Sequence, residues 1–180
     1  MLFDENHECP TDYVAIPKVT SERRKYIPID YLPQKVIAGD KLFMMPESTL
    51  YHFGVLTSNI HMAWMRAVCG RLEMRYSYSN TIVYNNFPWP TPTPEQKALI
   101  EQTAQMILDA RAKYPDASLA DLYGDAMILF PELYTAHIRN DQAVAMAYGI
   151  DTKDVEYKSE SACVAMLMRM YQTLTEKEPK

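Results

Sequence analysis

The sequence predicts an α+β fold, in which a small mixed β region with one long helix precedes an α-helical C-terminal domain. Three observations favour it. Short apolar runs separated by turn residues fill the first 46 positions, helical periodicity covers Phe53–Cys69, and amphipathic helices follow the proline-rich stretch Tyr84–Pro94. With 48% hydrophobic and 23% charged residues, the 180-residue chain has the composition of a globular protein.

Short β elements are predicted in the first 46 residues. Tyr13–Val19 and Ile27–Tyr31 have the composition of strands. A Gly-Asp-Lys turn at 39–41 predicts a hairpin between Lys35–Ala38 and Leu42–Met45. The opening resembles the middle of a sheet whose earlier strands are missing, so we expect the chain to be the C-terminal piece of a longer protein.

A long helix and then a strand are predicted in the centre of the chain. Phe53–Cys69 contains no proline and has apolar residues at helical spacing, and Gly70 lies where a C-cap glycine belongs. From 72 to 78 the apolar period changes to two, which is typical of a strand. On that strand, Glu73, Arg75 and Ser77 are expected to project from one face, roughly 7 Å apart at ~3.3 Å rise per residue.

This polar face has two interpretations. Its spacing is close to two base-pair steps of about 3.4 Å each in B-DNA. Glutamate accepts from cytosine N4 and arginine donates to guanine O6 and N7, so Glu73 with Arg75 could read a C·G pair. An exposed strand face with a cross-strand ion pair explains the same alternation, which is ordinary in antiparallel sheets. The pattern alone leaves both interpretations open.

Charge is distributed unevenly along the chain. The net charge of −5 argues mildly against binding to nucleic acid. Residues 18–75 are nevertheless locally basic, whereas most acidic residues lie at the extreme N-terminus or after Pro94. The distribution of charge therefore matters more than its sum.

A domain boundary is expected in Tyr84–Pro94, because its four prolines remove backbone donors and favour an extended connector. The predicted domains are 1–90 and 91–180. The second contains three amphipathic helices: one capped by Thr93 that runs to about Lys113, one over Pro131–Tyr148, and one that Ser159 caps.

Sequence motifs for catalysis are missing. The chain contains no Gly-rich phosphate loop, no FxGxG-like cofactor loop, no Asn/Asp-Pro-Pro-aromatic tetrad and no GxSxG elbow. Its three cysteines and four histidines form no pair with zinc-ligand spacing. The odd, scattered cysteines and the lack of a signal peptide or a ~18-residue apolar run favour a cytoplasmic location without membrane contact. We expect that this chain alone is not an enzyme.

The segments YHFGVLTSNIHMAWMRAVCGRL and YSYSNTIVYNNFPWP resemble the MmeI-like family, as do SERRKYIPI and PDASLADLY. These bacterial enzymes combine a nuclease, an adenine-N6 DNA methyltransferase, a target recognition domain and a helical C-terminal domain. The resemblance implies that 1–90 is the second part of the target recognition domain and that 91–180 is the C-terminal helical domain. It also implies that the catalytic domains lie upstream, so S-adenosylmethionine, and Mg²⁺ for any nuclease, would be cofactors of the parent enzyme and not of this fragment.

The resemblance also implies which residues contact DNA. The implied base-reading positions are Glu73 with Arg75, Ser77 with Lys41, and Asp40 with Lys18. Phosphate contacts usually outnumber base contacts. The candidate phosphate contacts are Arg23, Arg24, Lys25, His61, Arg66 and Arg71. The expected partners are double-stranded DNA and the methyltransferase domain upstream in the parent chain.

Two functions from different classes are therefore considered. The first is a sequence-specific DNA recognition module of a bacterial S-adenosylmethionine-dependent DNA (adenine-N6) methyltransferase or restriction enzyme. The alternative is a helical protein-interaction or domain-docking module without direct base contacts, which the acidic, methionine-rich helical half favours. A stand-alone enzyme is disfavoured by the missing motifs.

Overall fold

The computed structural model describes residues 9–176, so the first eight residues of the first predicted domain and the last four of the second lie outside the described range. The α+β assignment is confirmed, since two small antiparallel sheets are packed with helices. The strands are β1 (Tyr13–Pro17), β2 (Val19–Thr20), β3 (Asp30–Leu32), β4 (Leu42–Met45), β5 (Gly70–Leu72) and β6 (Arg75–Ser77). The α-helices are α1 (Leu50–Leu56), α2 (Asn59–Val68), α3 (Pro94–Ala112), α4 (Leu119–Leu122), α5 (Pro131–Ala147), α6 (Val155–Lys158) and α7 (Glu160–Glu176).

The two sheets have the strand orders β3-β1-β4 and β2-β6-β5, and every pairing is antiparallel. They meet at Lys18, between β1 and β2. The Lys18 amide donates to the Lys41 carbonyl (2.9 Å), and the Lys18 carbonyl accepts from the Tyr78 amide (2.9 Å). Lys18 therefore connects the two sheets through its backbone.

The hairpin predicted between Lys35–Ala38 and Leu42–Met45 is wrong. Residues 35–38 form no strand, and β4 pairs with β1 instead. In that position Phe43 and Met45 pack on the main core, while Leu42 and Met44 pack on a small cluster around Tyr13. Both faces of β4 thus contact apolar residues, whereas the apolar side chains of 36 and 37 remain exposed.

The single long helix predicted over Phe53–Cys69 is also wrong, because α1 ends at Leu56 and α2 begins at Asn59. The Ser58 hydroxyl donates to the Val55 carbonyl (2.7 Å) and accepts from the His61 amide (3.3 Å). Hydroxyl side chains compete with helical backbone bonds in this way and are favoured at N-caps. Ser58 therefore ends one helix and caps the next.

The helices predicted in the second half are confirmed. Thr93 and Gln96 form a reciprocal capping box at the start of α3, whose first residue is proline. α5 likewise begins at proline, and Gly149 follows it with a φ of 73°, in the left-handed region that favours glycine. Within residues 9–176, no helix combines the length and apolarity that crossing a membrane requires.

The main core continues across the predicted boundary at Pro90. Buried apolar residues of α1 and α2 belong to the same cluster as those of α3, α5 and α7. Gly54 lies at a close contact between these helices. Its carbonyl accepts from Asn140 Nδ2 (2.7 Å), and a Cβ added there would lie 2.7 Å from Ile100 Cγ2. The predicted domain boundary therefore does not separate two hydrophobic cores.

Replacing Gly54 with alanine is expected to lower the free energy of unfolding by about 1–3 kcal/mol, since the added methyl overpacks this contact. The clash outweighs the gain of about 1 kcal/mol in helix propensity. Urea denaturation measures the change. Gly39→Ala is the matched control, because a Cβ at Gly39 meets nothing within 4 Å. A Gly54→Ala protein as stable as the wild type would contradict the close approach.

Candidate nucleic-acid interface

The strand predicted over 72–78 is instead a hairpin. β5 and β6 are joined by a two-residue turn, Glu73-Met74, and Leu72 lies opposite Arg75. Glu73 has a φ of 57°, in the left-handed region. Hairpin turns of this length usually have Asn-Gly, Asp-Gly or Gly there. The sequence Glu-Met carries no such signal, which is why the reversal was missed.

The reversal gives the hairpin two different faces. Arg71 and Tyr76 are cross-strand partners on the inner face, where the guanidinium lies 4.2 Å from the centre of the tyrosine ring and the tyrosine is buried. The alternate positions form the outer face, which we define as Gly70, Leu72, Arg75 and Ser77. Arg75 and Ser77 thus share a face, as predicted.

Glu73 does not share that face, which corrects the expectation that three polar side chains project side by side. It lies in the turn, and its Oε2 accepts from Arg75 Nη2 (3.0 Å). The side chains of Glu73 and Arg75 are 78% and 51% exposed. An ion pair this exposed is worth at most about 1 kcal/mol. Both charged groups are therefore accessible at the end of the hairpin.

Lys18, Lys41 and Ser77 are brought together at the junction of the two sheets. The Lys18 backbone amide donates to the Lys41 carbonyl. Ser77 lies opposite Val19, the residue that follows Lys18. The Lys18 ammonium is 5.1 Å from the centre of the Phe43 ring. Asp40 directly precedes Lys41, and both are exposed. The implied pairs Ser77 with Lys41 and Asp40 with Lys18 therefore lie in one region.

Arg23 and Lys25 are exposed cations in the turn after β2. Arg23 Nη1 is 3.2 Å from Asp125 Oδ2, in an ion pair whose two side chains are 74% and 63% exposed. Lys25 Nζ donates to the Tyr134 hydroxyl (3.0 Å). Water-exposed contacts of this kind are weak. Both cations are accessible to an anion such as a phosphate.

Three other arginines make more contacts with the protein. Arg66 donates to Glu160 Oε2 (2.7 Å) and to the Arg24 carbonyl (3.2 Å), and so links α2 to α7. The Arg24 guanidinium donates to the Thr20 hydroxyl (3.3 Å). Arg71 lies 3.5 Å from Glu22 and stacks on Tyr76. Their structural roles compete with any phosphate contact.

His61 is fully buried, so the expectation that it contacts a phosphate is wrong. Its Nδ1 lies 2.8 Å from the Leu56 carbonyl and its Nε2 lies 3.1 Å from the Tyr78 hydroxyl. Since a carbonyl only accepts, we assign the proton to Nδ1, and Nε2 accepts from Tyr78. Burial lowers the pKa of His61 to about 4, so the ring is neutral at pH 7. His61 instead fixes Tyr78, the residue after Ser77.

A buried polar network escaped the sequence reasoning. The Tyr26 hydroxyl donates to Asp141 Oδ2 (2.6 Å), and the Asn59 amide donates to Asp141 Oδ1 (2.8 Å). Desolvation raises the pKa of Asp141 to about 7. These partners are distant in sequence, and an aspartate in an amphipathic helix is normally solvated, so no local pattern identifies the contact.

A second part of the network surrounds Arg111, whose guanidinium donates to Asp30 Oδ1 (3.0 Å), to the Ile29 carbonyl (2.8 Å) and to the Tyr123 hydroxyl. The Tyr123 hydroxyl lies 2.6 Å from His137 Nε2, and the His137 ring stacks on Tyr26. Arg111 therefore joins the first sheet to the helices of the second half.

Among residues 9–176, no three or more histidine, cysteine or acidic side chains are grouped so that they could hold a metal ion.

Comparisons with known proteins match nearly the whole chain. The family described as "MmeI, target recognition domain" matches residues 1–91, and the family described as "MmeI, C-terminal domain" matches residues 92–177. DNA methyltransferase A of Bacillus subtilis (strain 168) is 33% identical over 175 residues, which are 97% of this chain and 19% of that protein.

A solved structure shares the fold. The Type IIL restriction-modification enzyme MmeI in complex with DNA superposes with a TM-score of 0.85 at 41% identity, over 94% of this chain and 22% of that one. The chain thus spans about a fifth of the length of either relative. Since both family matches together run from residue 1 to residue 177, the chain belongs to the MmeI family, as its target recognition and C-terminal domains.

Proposed function

We propose that this chain is the sequence-reading part of a bacterial restriction-modification DNA (adenine-N6) methyltransferase. The observation that carries the proposal is the accessible Glu73–Arg75 pair at the end of an exposed hairpin. It is supported by the chain's similarity to a restriction-modification enzyme described in complex with DNA. The docking alternative is not favoured, because half of the chain matches a target recognition domain.

The hairpin suits major-groove reading. The major groove is about 12 Å wide and admits a two-stranded β-ribbon. Arg75 can donate to guanine O6 and N7, while Glu73 accepts from the N4 amine of the paired cytosine. Their mutual hydrogen bond orients both groups before DNA arrives. A good bidentate contact discriminates against the wrong base by about 1–3 kcal/mol.

The sheet junction supplies the remaining base-reading positions of the proposal. Lys18, Asp40, Lys41 and Ser77 offer donors and an acceptor to neighbouring base pairs. Arg23 and Lys25 then contact phosphates and set the register of the protein on the duplex. Arg24, Arg66 and Arg71 contribute to the positive potential of this side while they keep their protein contacts.

Catalysis belongs to other domains in this proposal. The methyltransferase lies upstream in a longer chain and binds S-adenosylmethionine, and a nuclease, where present, uses Mg²⁺. The described chain packs against that methyltransferase and acts in the cytoplasm. The DNA-bound relative and the Bacillus methyltransferase are each several times longer than this chain, which supports this division of labour.

Exchanging the charges of the pair tests the proposal. In the full-length enzyme, Glu73→Lys together with Arg75→Asp is expected to change one base pair of the recognised sequence and to leave the others. Lysine donates to guanine and aspartate accepts from cytosine, so the preferred pair inverts from C·G to G·C. Sequencing that maps methylated adenines in treated DNA measures the outcome.

A matched control exchanges the same charges on α7, with Arg169→Asp and Glu176→Lys, and is expected to keep the original sites. Unaltered specificity in the hairpin variant would remove Glu73 and Arg75 from the reading surface. Loss of methylation at every site in a folded protein would mean that the pair serves structure instead. Equal binding of the unmodified enzyme to all duplexes would overturn the recognition function itself.

A further inference from the structure

Two large apolar side chains at the end of the hairpin remain in water. Leu72 is 48% exposed and Met74 is 67% exposed. Neither belongs to an apolar cluster of the described residues. Turns are usually built from Gly, Asn, Asp, Pro or Ser. Leucine and methionine on either side of Glu73 therefore lack an explanation in folding alone.

Leu72 projects from the same face of the hairpin as Arg75, the face that contacts DNA in the proposed function. Leu72 is the cross-strand partner of Arg75, and cross-strand partners project on the same side of a sheet. The fourth outer-face position is Gly70, where a Cβ would have only distant neighbours at Ser77. The outer face thus consists of one apolar, one cationic and one hydroxyl side chain beside an open position.

Resting on the proposed function, we propose that Leu72 and Met74 are further specificity positions that contact the C5 edge of pyrimidines in the major groove. The pyrimidines belong to the base pairs adjacent to the one read by Glu73 with Arg75. The thymine C5 methyl group is the apolar feature of the major-groove edge, and apolar side chains are its usual partners. A contact with the C5 edge removes both side chains from water, whereas in the free protein both remain exposed.

The test uses methyl groups that leave base pairing unchanged. Every base pair contains one pyrimidine, so each pair of the recognised sequence can be compared as thymine against uracil or as cytosine against 5-methylcytosine. Binding of the full-length enzyme to these duplexes is measured by fluorescence anisotropy at fixed salt. At one or two pairs next to the C·G position, the methyl change is expected to shift the dissociation constant about three- to fivefold.

That methyl sensitivity is expected to disappear in Leu72→Ala or Met74→Ala. Ile128→Ala is the matched control, because Ile128 is 73% exposed in another part of the structure, and it should keep the wild-type sensitivity. Methyl sensitivity that is the same in every variant, or absent from the wild type, would overturn the inference. Equal binding to the recognised and a scrambled duplex would overturn the proposed function as well, so the two failures are distinguishable.

Discussion

Replacing Arg111 with alanine is expected to lower the free energy of unfolding by about 2–4 kcal/mol, because it removes a buried guanidinium together with its hydrogen bonds to Asp30, Ile29 and Tyr123. Arg111 is 8% exposed, and its loss removes the side-chain donor to the Ile29 carbonyl and leaves Asp30 Oδ1 with the Tyr31 amide as its donor. It also removes the cation from above the Phe53 ring. Urea denaturation monitored by tryptophan fluorescence and by circular dichroism measures the change.

The same experiment reports on how the two halves are coupled. Because the core is continuous, both probes are expected to show one coincident transition in the wild type. Arg111→Lys should recover only part of the loss, since an ammonium cannot reproduce the planar guanidinium contacts. Arg139→Ala removes an exposed arginine from α5 and should change stability by less than about 0.5 kcal/mol. A loss below about 1 kcal/mol for Arg111→Ala would contradict the buried pairing.

Asp141→Asn is expected to stabilise the protein increasingly as the pH rises from about 4 to about 7. Asp141 has an ordinary pKa of 3.8 in the unfolded chain and about 7 in the folded protein. In that window the folded state holds a proton that the unfolded state has released, so the contribution of Asp141 to stability falls with rising pH. The difference of about three pKa units corresponds to a loss of about 4 kcal/mol in the free energy of unfolding of the wild type. This loss is complete once the pH is above 7.

The measurement is the free energy of unfolding at several pH values for the wild type and the variant. Buried His61 and His137 have lowered pKa values and act in the opposite direction, because below about pH 6.5 the unfolded state binds their protons. Neither ring hydrogen-bonds to Asp141, so their effect cancels in the difference between the two proteins. Asp116→Asn, which removes a carboxyl group at an exposed position outside this network, is the matched control. A difference that does not grow with pH would exclude a protonated Asp141.

Local signals in the sequence were sufficient for the second half of the fold. A proline first turn with Thr93 before it, a cap at Ser159 and a glycine stop at Gly149 act within a few residues, and the structure follows them. The centre of the chain behaves differently. The break at Ser58 depends on hydroxyl hydrogen bonds inside an apolar helical pattern, and the Glu73-Met74 turn lacks turn chemistry altogether.

The structure agrees only in part with the predicted arrangement of the candidate residues. Arg75 and Ser77 share an exposed face because alternation survives within a three-residue strand. Glu73 leaves that face because the turn intervenes. His61 could not be distinguished from a surface cation, since its burial depends on packing with Tyr78, which is remote in sequence. Asp141 and Arg111 depend in the same way on partners that only the folded chain brings near.

The core that runs through both halves has a consequence for protein engineering. A graft of the whole segment 1–90 from a relative would have to fit Gly54 against Asn140, Tyr26 against Asp141, and Ile29 and Asp30 against Arg111. A graft of residues 72–75 touches none of these contacts. Exchanging hairpin ends is therefore expected to cost little stability, whereas transplanted domains would need their cognate helices.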